Sequence, residues 1–484
     1  MVQRTAVKSV FGDTPRQLKL LTAALAVLGL LLGLVSSLGL LRDSSSLSSL
    51  KSRTTEVSAT SDLYYRLNDM DAQAADLLLV GYHPASGFSV PDSVNAAASD
   101  NAYEQDRKAA DGDLEQIAEN PLLSTQARKL LDSLGGYEAD IADAFYIDQQ
   151  APSQQPATPP AAALAEYEKA SATLHDSMLS ASLQITKTDS GAVNTSYSSD
   201  HSAVALYGYA VLGLAVLALL ALVLGNRYYA RRFRRRLSWL SVGAAVALVI
   251  GLIGLTTQLS EAGHLHLAKP EAYDSIYALD RARAVSDDAN ADESRWLLEN
   301  RDSTLQASYF QKISEVGGVA AVPAAQADTD PSSYYSALSS AVGKMQLDAS
   351  ANSVSDVGID GYLGTELNNV TFPGEAQAAD AATKAFNAYV QDDDKIRTDA
   401  DDGGLAAAVA FDIGTEPGQS NAAFSAYMTA LGKVIQINTT QFGAAVSAGQ
   451  SGVGGVAWAE LVIAEFLLLA FVLQAGYLRL REYR

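Results

Sequence analysis

The amino-acid sequence predicts an all-α membrane protein in which four transmembrane helices carry two extracytoplasmic helical-bundle domains. Two apolar runs in mid-chain, 203–225 and 237–259, are each long enough to cross a bilayer as a helix, which takes about 20 residues. The connection between them, 226–236, holds six arginines. Short loops rich in Lys and Arg stay in the cytoplasm, so this turn is expected inside. Two further apolar runs, 20–41 and 453–477, complete the four predicted spans.

The charge distribution separates the cytoplasmic segments from the outer ones. The 484-residue chain has a formal net charge of -21, yet 13 of its 34 Lys and Arg residues lie in the tail 1–19, the turn 226–236 and the tail 478–484. Both termini are therefore predicted to face the cytoplasm from the cell membrane. The acidic excess belongs to the long regions 42–202 and 260–452, which argues against nucleic acid as a partner.

The first outer region, 42–202, has the pattern of a helical bundle. Thr55–Val80 carries apolar residues at three- and four-residue steps, which is typical of an amphipathic helix. A loop is expected over Gln149–Pro160, which holds four prolines. Three further helices are predicted: Ala96–Ala118, a segment from Pro121 that ends near Gly135 or continues to Ile147, and Ala161–Asp189. The sum is an up-down bundle on two membrane helices.

The second outer region, 260–452, repeats the plan. Helices are predicted over Pro270–Asn300, Arg301–Val316, Tyr334–Met345, Glu375–Arg397 and Asn421–Val446. Leu347–Gly374, rich in Gly, Asn, Ser and β-branched residues, predicts a small hairpin or an irregular loop. Five positions recur at an offset of 212: Asp62, Tyr65, Leu67, Ala72 and Asp76 return as Asp274, Tyr277, Leu279, Ala284 and Asp288. This favours an internal duplication, with a chance match from Ala and Asp bias as the alternative.

One predicted helix in the second region is dense in alternating charge. Its candidate ligand- or partner-binding residues are Arg281, Arg283, Asp287, Asp288, Asp292 and Arg295. Arg283 is placed to pair with Asp287, and Asp292 with Arg295, so one interpretation is a solvated face with local ion pairs. The other is that Arg281 or Arg283 faces the bundle interior and binds a carboxylate of a ligand or a partner protein, because the guanidinium matches a carboxylate bidentately.

The fourth span carries two acids. Glu460 lies near its outer end, whereas Glu465 lies about halfway in. A carboxylate at that depth costs several kcal/mol unless it is paired or protonated, which makes Glu465 a functional candidate. The alternative is that it reaches outward or bonds a hydroxyl such as that of Thr256, Thr257 or Ser36. In the first span, Gly29 and Gly33 have the spacing that permits close helix approach.

No pattern points to catalysis, a cofactor or a metal. His264 and His266 are two apart, which places them on different faces of a helix. The acidic run that starts at Asp392 lacks the EF-hand spacing. The sequence has no phosphate-binding glycine loop, no nucleophile elbow and no HExxH pair, and without cysteine it has no thiol chemistry. We therefore expect a protein that is not an enzyme.

The four spans, the two acidic outer regions and the run from Tyr277 to Arg295 resemble actinobacterial membrane proteins of the GlnX type. The resemblance implies a relay that couples an extracytoplasmic amino-acid-binding lipoprotein to a cytoplasmic serine/threonine kinase, with glutamate or aspartate as the signal. Because the turn is short, any signal must pass to a separate protein, and the turn supplies the expected contact residues: Arg231, Arg232, Arg234, Arg235 and Arg236. Homo-oligomerisation is left open.

Two other functions compete with a sensor. One is an accessory subunit of a transporter or channel, in which Glu465 lines a conduction or proton path. The other is a scaffold of the cell envelope. A transporter is expected to show several polar or broken spans. Three of the four spans here are plainly apolar, which favours the sensor.

Overall fold

The computed structural model describes residues 14–81, 96–121, 123–151, 158–233 and 238–482. It is 87% helical and has four long helices that are apolar enough to cross a membrane. The expected all-α membrane fold is therefore confirmed, and the chain is a multi-pass membrane protein. The four apolar runs lie on α1 (Thr14–Val80), α5 (Ser180–Phe233), α6 (Trp239–His266) and α15 (Gly455–Arg481).

The other helices lie between these four along the chain. They are α2 (Ala96–Ala118), α3 (Ser124–Gln149), α4 (Ala161–Thr173), α7 (Asp274–Leu298), α8 (Ser303–Gly317), α9 (Ala324–Thr329), α10 (Pro331–Lys344), α11 (Gly361–Leu367), α12 (Glu375–Thr398), α13 (Leu405–Asp412) and α14 (Ser420–Gly452). The expected hairpin is also present, because β1 (Gln346–Asp348) pairs antiparallel with β2 (Ser353–Ser355). Within the described ranges, three π-helical segments join neighbouring helices: Leu174–Leu179, Leu267–Tyr273 and Asp399–Gly403.

The chain divides into two compact units. The first, here called the membrane unit, comprises the chain up to Lys51, Asn194–Ala268, and the chain from Gly443. The second unit comprises Ser52–Val193 and Lys269–Phe442. The two outer regions of the sequence thus contribute to one unit, whose largest hydrophobic core combines residues of α1 to α5 with residues of α7, α12 and α13.

The membrane unit has an apolar interior and an apolar exterior. Leucine and alanine side chains of α1, α5, α6 and α15 form its core. Outward side chains are also apolar: Leu30, Leu220 and Phe466 are 53%, 53% and 70% exposed. Large exposed apolar surfaces suit a hydrocarbon environment. Close packing of α5 and α6 requires glycine at position 251, because a Cβ at Gly251 would lie 2.5 Å from the Cβ of Ala215.

The second unit contains an aromatic cluster around one arginine. The guanidinium of Arg397 lies 4.7 Å from the centre of the Trp296 ring, 5.2 Å from that of Phe310 and 5.5 Å from that of Tyr309. Arg397 also donates a 2.9 Å hydrogen bond to Asp393. The cluster therefore joins α7, α8 and α12 through cation–π contacts.

The arginine-rich connection is shorter than expected from the sequence. Helix α5 continues through Arg231 and Arg232 to Phe233, so most of the segment predicted as a turn from Asn226 is helical. Ser238 then caps α6 by accepting a hydrogen bond from the backbone N–H of Leu240. Arg234, Arg235 and Arg236 lie outside the described residues. The described side chain of Arg231 is exposed.

Candidate functional site

Helix α7 is buried and lies along the second half of α1. From Ala278 to Leu298 every residue except Arg283 is buried. Asp62 near the start of this stretch of α1 contacts Arg283, and Asp76 further along it contacts Ser294, so the helices are parallel. The solvated face considered in the sequence analysis is therefore wrong, because α1 and α8 supply partners for the charges of α7.

The two arginines near the start of α7 face α1. Arg283 pairs with Asp62 and lies 3.7 Å from Asp280, so the expected partner Asp287 is replaced by a carboxylate of α1. Its guanidinium also lies 4.9 Å from the centre of the Tyr65 ring. The guanidinium of Arg281 lies 5.1 Å from the centre of the neighbouring Tyr64 ring. Both arginines thus face the interior of the unit.

A lysine on α8 joins two acids of α7. The Nζ atom of Lys312 lies 2.6 Å from Asp288 and 2.6 Å from Asp292. Tyr64 donates a 3.3 Å hydrogen bond to Asp288. Burial acts to raise the pKa of Asp288, but the charge of Lys312 brings that pKa below its ordinary value. Asp288 is therefore held ionised.

Arg295 is the centre of a second cluster. It is 3% exposed, pairs with Asp292 as expected from their spacing, and lies 3.2 Å from Asp71 of α1. It also donates a 3.1 Å hydrogen bond to the hydroxyl of Ser171 and contacts the ring of His175. Burial acts to lower the pKa of Arg295, but the charges of Asp292 and Asp71 raise it above the ordinary value.

Asp71 is the buried counter-charge of this cluster. It is fully buried and accepts hydrogen bonds from the hydroxyls of Tyr137 and Tyr167, each 3.4 Å long, and from Ser171 at 3.3 Å. Burial acts to raise its pKa, but His175, whose Nε2 atom lies 3.7 Å away, and the charge of Arg295 bring the pKa below its ordinary value. One carboxylate thus ties α1, α3, α4 and α7 together.

Asp287 lies in a different environment from Asp288. Burial, together with the charges of Asp69 and Asp106, raises the pKa of Asp287 well above its ordinary value. Its Oδ2 atom has no hydrogen-bond partner within the described part of the chain. Burial and the charge of Asp69 also raise the pKa of Asp106, to about 8. Neighbouring carboxyls of α7 thus differ in their affinity for a proton.

Two carboxyl groups share a hydroxyl further along α7. Ser294 donates a 2.7 Å hydrogen bond to Asp76, and its hydroxyl also lies 3.3 Å from Asp412 of α13. Asn421 donates a 3.3 Å hydrogen bond to Asp76. Burial raises the pKa of Asp76 to about 6 against the opposing effect of these hydrogen bonds, and burial with the charge of Asp76 raises the pKa of Asp412 well above its ordinary value.

The Arg295 cluster opens into a cleft of about 590 Å³ between α4, α7 and α8. Cleft volumes of about 300–1,000 Å³ are typical of small-molecule sites. The floor carries charges of both signs and the rim carries acids and hydroxyls. The lining residues are Glu168, Ser171, Ala172, His175, Asp292, Arg295, Glu299, Thr304, Leu305, Ser308 and Lys312.

Of the sequence candidates, Asp292 and Arg295 line the cleft. Asp288 does not line the cleft, but it pairs with Lys312, which does. Arg281, Arg283 and Asp287 lie elsewhere on α7. His175 and Lys312 were missed because neither belongs to a motif. The one available signal was the rarity of lysine, since Lys312 is the only one between Lys269 and Lys344.

In the membrane unit, Glu465 packs against the backbone of α1. A Cβ at Gly33 would lie 2.6 Å from the Glu465 carboxyl carbon, so the glycine spacing makes room for this side chain. Thr256 and Thr257 donate their hydroxyls to carbonyls of their own helix. Both carboxyl oxygens of Glu465 lack a hydrogen-bond partner among the described residues, so the hydroxyl contact considered above is not formed. Glu460 is exposed.

Residues 46–198 match the family model described as an actinobacterial sensor domain. This segment includes Asp71, Ser171 and His175, and it supplies one side of the cleft. The match supports an actinobacterial sensor protein. No curated protein and no solved structure matches the chain.

Proposed function

We propose that this chain is a non-catalytic membrane sensor that receives an extracytoplasmic amino-acid signal at its second unit and passes it to a cytoplasmic kinase. The observation that carries the proposal is the cleft. His175, from the segment that matches a sensor domain, faces Arg295 and Lys312 from the other half of the chain. A ligand bound there touches both halves, so it changes the free energy of their association.

The cleft has the chemistry that an amino acid requires. Lys312 and Arg295 offer cationic groups to a carboxylate, and Glu168 and Glu299 offer carboxylates to an ammonium group. Burial raises the pKa of Glu299 to about 7. The hydroxyls of Thr304 and Ser308 add hydrogen-bond partners. Glutamate and aspartate carry a second carboxylate, for which His175 and these hydroxyls are the partners we propose.

Filling the cleft is expected to weaken ligand binding. Ser308→Trp places an indole in the cleft without removing a member of the charge network. Purified full-length protein is titrated with glutamate, aspartate and glutamine, with the thermal unfolding midpoint as readout, since a ligand that binds the folded state raises it. The wild type should show a saturable rise with glutamate or aspartate, and Ser308→Trp should reduce the apparent affinity at least about tenfold.

Ala307→Trp is the matched control, because Ala307 is the exposed neighbour on α8 and does not line the cleft. It should retain the response. Equal responses in both variants would exclude the cleft as the site. A response that appears only with a solute-binding protein present would place the amino acid on that protein instead.

Both termini and the arginine-rich connection are proposed to face the cytoplasm from the plasma membrane. The chain has no cysteine, so single cysteines report topology without background. We expect an impermeant maleimide to label Ser198→Cys in intact cells, and to label Arg231→Cys only after permeabilisation. Both positions are exposed on α5, so a difference in labelling reports the side of the membrane and not a difference in burial. Labelling of Arg231→Cys in intact cells would reverse the topology.

The proposed partners are an extracytoplasmic solute-binding lipoprotein and a cytoplasmic serine/threonine kinase. The resemblance to the GlnX type supports both. Helices α1 and α5 contribute residues to both units, and a long helix can carry a shift of about 1–2 Å. Arg231, Arg232 and Arg234 to Arg236 would then contact an acidic surface of the kinase. Identification of proteins that co-purify from native membranes tests this assignment.

One observation favours an accessory role in transport as the second candidate. Glu465 lies within a span, and its two carboxyl oxygens have no hydrogen-bond partner among the described residues. Such groups mark ion or proton paths in many membrane proteins. A proton or ion flux through liposomes that contain the purified chain alone, lost in Glu465→Gln, would favour this function over the sensor.

A further inference from the structure

Two fully buried acids lie in the membrane unit near the outer ends of the spans. Asp43 of α1 has no exposed surface, and Glu261 of α6 is 1% exposed. Gln258 precedes Glu261 by three residues and therefore lies on the same face of α6. Its amide donates a 2.7 Å hydrogen bond to the Oδ2 atom of Asp43. The amide thus lies against one of the two acids.

Three oxygens of this cluster lack partners. The Oδ1 atom of Asp43, the Oε1 atom of Gln258 and the Oε1 atom of Glu261 have no hydrogen-bond partner within the described ranges. All three atoms belong to side chains that are at least nine-tenths buried. Carboxylate and amide oxygens without a donor are the ligands that hard cations prefer.

The neighbouring basic residue does not neutralise the cluster. Arg42 lies next to Asp43 in the sequence, but its guanidinium is 2.8 Å from Asp200 of α5. In the part of the chain that the structure describes, neither Asp43 nor Glu261 has an ion pair with a Lys, Arg or His side chain. Burying an unpaired carboxylate is costly, so something must neutralise these two.

The cluster is enclosed by helices of the membrane unit. A Cβ at Gly449 of α14 would lie 3.2 Å from the Oε2 atom of Glu261 and 2.7 Å from the side chain of Leu47 on α1. A small cavity of about 10 Å³ adjoins Gln258 and is also lined by Ser36 and Thr257. The hydroxyl oxygen of Ser36 has no described hydrogen-bond partner. This cavity, large enough for about one water-sized species, lies on the Gln258 side of the cluster and is not lined by either acid.

A cation satisfies this arrangement better than a proton. One proton on one carboxyl can donate to a single acceptor, which leaves the other acceptors unsatisfied. A small hard cation accepts several oxygen ligands at once and neutralises the acids together. The amide oxygen of Gln258 is a further, uncharged ligand for such a cation.

We propose that Asp43, Gln258 and Glu261 form a binding site for a small hard cation with all-oxygen ligands, sodium or calcium, in the membrane unit. The site is separate from the cleft of the second unit and does not depend on the proposed amino-acid ligand. It uses two carboxylates and one amide, and backbone carbonyls or water would complete the coordination.

The test is the stability of the full chain against each cation. The protein is purified in detergent with choline chloride as the only salt, and NaCl, KCl or CaCl₂ then replaces choline at constant ionic strength. A cation that binds the folded state raises the thermal unfolding midpoint in a saturable way. We expect saturation with Na⁺ or with Ca²⁺, and at least about tenfold weaker apparent affinity for the larger K⁺. The ion that saturates at lower concentration identifies the ligand.

Three variants locate the effect. Asp43→Asn with Glu261→Gln should remove the cation response, and Gln258→Met should weaken the apparent affinity at least about tenfold while both acids remain. Asp200→Asn is the control, because it breaks the neighbouring pair with Arg42 and should keep the response. If the double variant fails to fold, the cation response of Gln258→Met alone tests the proposal.

Two results would overturn the proposal. The first is a wild-type midpoint that does not respond to any of the three cations between pH 6 and 9, which would mean that protons neutralise the acids. The second is a response of wild-type size in Gln258→Met and in the double variant, which would place the cation elsewhere.

Discussion

Arg295→Met is expected to lower the free energy of unfolding of the second unit by about 3–5 kcal/mol. Arg295 is 3% exposed and faces Asp71 and Asp292, which are also buried. The substitution keeps most of the side-chain volume but leaves two buried carboxylates without their counter-charge. Denaturant unfolding of the purified protein, followed by circular dichroism, measures the change.

Arg301→Met is the matched control. Arg301 lies 2.7 Å from Asp401, but both side chains are exposed, at 41% and 71%. Exposed pairs contribute about 0–1 kcal/mol, so this variant should remain close to the wild type. Equal losses in the two variants would show that the Arg295 cluster is not a buried network in solution.

Asp76→Asn is expected to make the protein more stable at pH 8 by about 1–3 kcal/mol, at about 1.4 kcal/mol for each unit of pKa. The pKa of Asp76 rises from 3.8 to about 6 on folding, so the folded state holds this proton more tightly than the unfolded state. Its contribution is therefore complete below about pH 4 and is lost as pH rises through about 6. Asparagine stays neutral at every pH and keeps an acceptor for Ser294.

The measurement is the difference in unfolding free energy between wild type and variant at pH 5 and pH 8. The pKa values of Asp412 and Glu293 are also raised on folding, so the stability of both proteins still depends on pH. Only the difference between wild type and variant therefore reports on Asp76.

Asp71→Asn is expected to have the opposite effect. The pKa of Asp71 is lowered on folding, so its contribution is present at neutral pH and lost in acid, and the variant should be less stable at pH 8. A difference between wild type and Asp76→Asn that is constant from pH 5 to pH 8 would contradict the assignment.

The membrane architecture could be predicted from the sequence because its signals are local. Uninterrupted apolar runs are visible within about 20 residues. Local composition likewise predicted a small hairpin or an irregular loop over Leu347–Gly374, and a hairpin is present at Gln346–Ser355. Pairings within α7 were predicted in the same way, and Asp292 with Arg295 proved correct.

The burial of α7 could not be predicted, because its partners are distant in the sequence. Asp62 precedes Arg283 by 221 residues, and Asp71 precedes Arg295 by 224. A helix rich in alternating charge resembles a solvated helix until those partners are known. The cleft was hidden for the same reason, since His175 and Lys312 meet only after the two halves of the chain have come together.

The contact between Arg397 and Trp296 gives the second unit its own optical probe. The sequence has three tryptophans, of which Trp239 and Trp458 belong to the membrane unit. Trp296 directly follows Arg295, which lines the cleft, and its ring lies under a cation. With Trp239 and Trp458 replaced by phenylalanine, the emission of the protein comes from one indole. The intensity and wavelength of this emission depend on the position of the Arg397 guanidinium relative to the Trp296 ring. A structural change at the neighbouring cleft can therefore be followed by fluorescence without an attached label.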